Sequence, residues 1–115
     1  MAETLAAIEA ALWGILEPYR TRLEPGSVYG LVTLRRAGAT QHAFFAGVRL
    51  ASHHVAFHLM PIYADPTLLD GVSAGLRKHL TGKTTFTFAA IEPDLWDELA
   101  GLTARCFEAY EADGP

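Results

Sequence analysis

The residues of this chain best suited to chemistry lie between His53 and Tyr63. Three of the five histidines fall in the run His53-His54-Val55-Ala56-Phe57-His58-Leu59-Met60-Pro61-Ile62-Tyr63. An imidazole can ligate a metal or move a proton near neutral pH. The apolar residues around these histidines read as a buried strand that Pro61 ends. In a strand His54 and His58 share a face but stand about 13 Å apart, too far for one metal with bonds of about 2 Å. His53 points to the opposite face. A site therefore needs a residue from a neighbouring element. A turn centred on Ala51-Ser52 would set Phe44 across from His58 and His42 across from Met60. His42 would then lie diagonal to His58, roughly 7–8 Å away between α-carbons. Such a pair can bind a metal or share a proton. The plainer alternative is a half-buried His58 hydrogen-bonded to a neighbour, with His53 and His54 exposed at a turn.

The other clusters have equally plain readings. Gly82-Lys83-Thr84-Thr85 has the letters of a phosphate loop, but six residues separate Gly75 from Gly82 where that loop needs four. It also runs from helix to strand, the reverse of a phosphate loop. What remains is a small basic corner of Arg77, Lys78, His79 and Lys83, able to meet an anion or simply to complement a helix end. Asp94, Asp97 and Glu98 can bind a hard cation through oxygen, yet acids at a helix start are expected on dipole grounds alone. Cys106 sits on an apolar helical stripe and reads as a small buried hydrophobe. Trp13, Trp96, Phe57 and Phe88 occupy positions where core residues are expected. No nucleophile elbow, zinc-protease helix or dinucleotide fingerprint occurs. The ligand-binding candidates are thus His58, Tyr63, Lys83 and His42, and no catalytic set, metal site or cofactor is implied.

These residues must be positioned by a short list of elements. Residues 3–23 form an amphipathic helix with Leu5, Ile8, Leu12, Ile15, Leu16, Tyr19 and Leu23 on its apolar side, broken near Glu17 by Pro18. Glu24-Pro25-Gly26 ends it. Strands follow at Ser27–Arg36, His42–Leu50 and His53–Met60, an antiparallel meander. Asp65-Pro66 starts a helical turn that stops near Gly71, and Ser73 caps a second short helix through Leu80, with Gly82 suited to the left-handed position after it. Lys83–Phe88 is a fourth strand. Pro93 opens the last helix, whose stripe is Leu95, Leu99, Leu102, Cys106 and Tyr110.

With 115 residues, half of them hydrophobic, the chain is one domain, residues 1–115, with enough apolar surface for a single core. Nine basic against thirteen acidic residues leave a net charge of −4, which argues against nucleic acid as a partner. No stretch approaches the ~20 apolar residues of a membrane span, no secretory signal stands at the front, and the single cysteine fits a reducing compartment. A cytoplasmic protein is expected.

The element order, with Phe57-His58-Leu59-Met60-Pro61-Ile62-Tyr63 and Gly82-Lys83-Thr84-Thr85-Phe86-Thr87-Phe88 leading into the last helix, resembles the YdhG-like family of uncharacterised bacterial domains. The resemblance runs from about residue 27 onward. Family members carry an isoleucine-tyrosine-glycine-methionine-proline stretch where this chain has Val28-Tyr29-Gly30-Leu31, which marks a distant subgroup. Some relatives are described as frataxin-like iron chaperones, so the resemblance implies metal carriage as one reading.

The expected fold is α+β in the order α-β-β-β-α-β-α, a four-stranded antiparallel sheet with helices packed mainly on one face. The expected function is a non-catalytic module binding a small ligand or a protein partner. The alternatives are a frataxin-like iron carrier using His42, His58 and the acids of the last helix, and an enzyme with His58 as general base. Apolar residues on both faces of the strand from Ser27 suit a homodimer contact or a covering helix.

Overall fold

A computed structural model describes residues 4–28, 30–40 and 43–112. Thr4 caps the first helix, α1 (Leu5–Leu16), its hydroxyl accepting from the Ala7 amide at 3.1 Å. Pro18 cannot continue the helical hydrogen bonding, and the chain tightens into a 3-10 segment over Glu17–Arg22. This is the break expected near Glu17.

The sheet has six strands, not four: β1 (Glu24–Val28), β2 (Leu31–Arg35), β3 (Phe44–Leu50), β4 (Val55–Leu59), β5 (Leu80–Thr81) and β6 (Thr85–Phe88). Its spatial order is β1-β2-β3-β4-β6-β5, and every pairing is antiparallel. Both extra strands come from glycines that turn the chain. Gly30, at φ +84°, splits the single strand expected from Ser27 to Arg36 into the β1–β2 hairpin. Glu24-Pro25-Gly26 therefore pairs with β2 instead of closing a helix. Pro25 is tolerated because β1 is an edge strand with one neighbour. Gly82, at φ +74°, turns β5 into β6 and does not follow a helix end, since α3 (Ala74–Arg77) stops well before Leu80.

Between the halves of the sheet, Met60-Pro61 opens α2 (Pro61–Ala64), with proline at the first helical position. Asp65 caps a 3-10 turn over Pro66–Leu69, its carboxylate accepting from the Thr67 amide at 3.2 Å. The last helix, α4, runs Pro93–Ala112. No helix among the described residues is long and apolar enough to cross a membrane.

Helices α1 and α4 pack on one face of the sheet, where α1 lies over β3 and β4. Ile8, Leu12 and Leu16 of α1 and Leu99, Leu102 and Cys106 of α4 are fully buried against Val48, Phe57, Phe86 and Phe88. Tyr110 fastens α4 to the loop between β2 and β3: its hydroxyl accepts from the Arg36 amide at 2.9 Å and donates to the Ala43 carbonyl at 2.6 Å. The candidate site lies on the other face of the sheet.

Candidate functional site

The register of β3, β4 and β6 decides which side chains share the open face. In β4, Val55, Phe57 and Leu59 belong to the core, so His54, Ala56 and His58 point the other way. His58 lies across from Gly47 on β3 and Thr85 on β6; Ala56 lies across from Arg49 and Thr87. Thr81 of β5 extends the first row beyond Thr85. Arg49 is thereby diagonal to His58, roughly 7–8 Å between α-carbons.

The register differs from the sequence expectation. His58 faces Gly47, not Phe44, because the turn from β3 to β4 is centred further along, closed by the Ala51 amide donating to the His54 carbonyl at 2.9 Å. Glycine is required at position 47. A Cβ there would stand 2.6 Å from the Val32 carbonyl oxygen, nearer than such contacts allow.

These side chains line an open trough of about 710 Å³. Its floor is Ala56, with Arg49 on one side and Thr81, Thr85 and Thr87 on the other. His58 stands toward one end; the turn residues Ser52 and His54 stand at the other. Nδ1 of His58 is hydrogen-bonded to Oγ1 of Thr85 at 3.1 Å. The imidazole is half-buried, and this burial, reinforced by the positive charge of Arg49, lowers its pKa below the ordinary 6.5. The ring is therefore neutral at pH 7. Among the described residues no carboxylate lines the trough, and the hydroxyl of Thr85 is what orients the imidazole.

The other ligand-binding candidates are elsewhere. Tyr63 of α2 is 63% exposed, with the Lys83 ammonium 5.5 Å from its ring centroid. Together with Ile62, Leu69 and Leu80 they line a separate, more apolar pocket of about 290 Å³ beside the β5–β6 hairpin. His58 lines the trough and Tyr63 lines this second pocket, two separate cavities. His42 lies outside the described residues, so the proposed His42–His58 pair has no geometry to report.

The remaining clusters are engaged in holding the fold. Arg77 donates to the carbonyls of Leu69 and Val72, and His79 bridges the Thr87 carbonyl at 2.8 Å and the Glu92 carboxylate at 3.0 Å, which dismantles the basic corner. Glu98 accepts from the amide and hydroxyl of Ser73 at 2.7 and 2.6 Å, and those bonds hold its carboxyl below the usual carboxylate range. This clamps α3 to α4. Burial pushes the Cys106 thiol up to about 12, which leaves it unreactive. Among the described residues no three His, Cys, Asp or Glu side chains gather where they could hold a metal.

Sequence reasoning singles out His58 but not Arg49, Ala56, Thr85 or Thr87, which line the same trough. The signal was present in the alternation Thr85-Phe86-Thr87-Phe88 and Val48-Arg49, which sets polar residues on one face and apolar ones on the other. No protein-family model, curated protein or solved structure matches the chain.

Proposed function

We propose that this chain is a non-catalytic binding module that takes a small ligand on the open face of its sheet. The trough around His58 carries the reading. It is a shallow, open depression on the face opposite the core, and its lining combines an arginine, two imidazoles and four hydroxyls around an alanine. A few polar groups converging on a pocket are what orient a small ligand. The His58–Thr85 contact has the form of a base beside a hydroxyl, but among the described residues no carboxylate of the lining joins it. We also propose that the domain is a distant YdhG-like one. The sequence of elements supports it: strands leading into Met60-Pro61, a Gly82-Lys83 turn into β6, and Pro93 opening the closing helix.

A thermal-shift screen of small metabolites tests the functional reading, because a ligand at 100 times its Kd adds about 2.7 kcal/mol of stability. Amide shifts for each hit should map to Arg49, Ala56, His58, Thr85 and Thr87. Hits confined to the Tyr63–Lys83 pocket would move the site there. A screen without stabilising compounds, joined to pull-downs without a partner, would overturn the proposal.

A further inference from the structure

We infer that the ligand of this trough is a small oxyanion, a carboxylate or a phosphate, held by Arg49 with the imidazole of His58 and the Thr87 hydroxyl as further donors. This rests on the reading of the open face as the binding site and adds the chemical class of its occupant.

Charge selection is the first argument. The chain carries thirteen acidic residues against nine basic ones, yet among the described residues no acid lines the trough. Its lining groups are one permanent cation, Arg49, two imidazoles, His54 and His58, and the hydroxyls of Ser52, Thr81, Thr85 and Thr87. Arg49 forms no ion pair among the described residues, whereas Arg20, Arg22 and Arg35 each meet a glutamate. A guanidinium beside hydroxyls and without a carboxylate favours a planar or tetrahedral oxyanion over a neutral or cationic ligand.

Donor geometry is the second. Where the Thr85 hydroxyl donates to Nδ1 of His58, the ring proton sits on Nε2. That leaves an N–H on the open face, on the diagonal from Arg49. Thr87, two residues along β6 from Thr85, lies in the same row as Ala56 and Arg49. Cation, imidazole and hydroxyl are thus spread around the small Ala56 side chain, which leaves room for an anion between them.

The test is a titration of the ¹⁵N-labelled protein, at constant ionic strength, with inorganic phosphate, with citrate and with glucose as a neutral polyol. Saturable shifts at Arg49, Ala56, His58 and Thr87 with phosphate or citrate, and none with glucose, are the expected result; which of the two anions binds distinguishes phosphate from carboxylate. Arg49→Gln should weaken that binding about tenfold or more while leaving the amide spectrum otherwise native. Saturable binding of glucose alone on this face would overturn the oxyanion assignment and leave the site standing. Anion binding that Arg49→Gln leaves unchanged would overturn the assignment as well. If none of the probes moves this face and a metabolite screen finds no occupant for it, the oxyanion and the site fall together.

Discussion

On the helix-covered face of the sheet, Val55, Phe57, Phe86 and Phe88 are buried to within 1% of full enclosure, whereas their immediate neighbours Ala56, His58, Thr85 and Thr87 point to the opposite face and line the trough. One residue of displacement along a strand separates the two sets, because successive side chains alternate in direction. The covered face carries most of the burial. The open face carries Arg49, His58, Thr85 and Thr87, none of which belongs to the buried core. Core packing and the proposed recognition therefore fall on alternate positions of the same strands.

The sharpest test of that division compares adjacent strands. Phe57→Ala should destabilise the domain by about 3–5 kcal/mol, as expected for a large side chain removed from a full core. Thr87→Ala, on the other face, should change stability by no more than ~0.5 kcal/mol. Chemical denaturation of both variants measures the difference. Comparable losses would mean that the open face is also part of the stabilising core.

Gly47 breaks the simple form of the contrast, since it sits on the open face and is nevertheless intolerant. Its neighbour is the backbone of β2: the Val32 carbonyl would lie 2.6 Å from a Cβ, with Leu31 side-chain atoms at 3.2 Å. A carbonyl in a paired strand cannot step aside as a flexible side chain can. Gly47→Ala should cost about 1–3 kcal/mol, an overpacking loss on a face otherwise open to substitution. A midpoint equal to that of the parent protein would show that β2 and β3 can separate to admit a methyl group.

The elements that were legible in the sequence are those governed by local chemistry. The α1 break at Pro18, the Ser73 cap and the Pro93 start follow from single residues whose backbone needs are strict. Less legible was whatever depends on a partner strand. Gly30 gives no sign in isolation that it turns a hairpin, and Leu80-Thr81 is too short to announce a strand. The same limit applied to the site. His58 stands out by type, but Arg49 becomes its neighbour only through a register that the β3–β4 turn sets, and a small shift in that turn had placed Phe44 across from His58 in the sequence reading. Tyr63 and Lys83 did prove to be neighbours, yet in a pocket of their own.

The smallest expected effect is the pH response of His58, which probes the boundary between the two faces, since its ring is half-buried at the rim of the trough. Burial and the Arg49 charge both disfavour the protonated ring in the folded state, so its pKa lies below the ordinary 6.5. The unfolded chain takes up the proton near that ordinary value. Between the two values the unfolded state binds more protons, and stability falls as the pH is lowered through this window. Above pH 6.5 the contribution is fully present. Glu98, whose carboxyl is held low by Ser73, also loses stability on acidification, but through the lower carboxylate range. His58→Gln should therefore flatten the stability profile just below pH 6.5 while leaving the later acid decline in place. Parallel profiles for parent and variant throughout that upper window would mean that the imidazole is as well solvated in the fold as in the unfolded chain, and that the rim of the trough is open water.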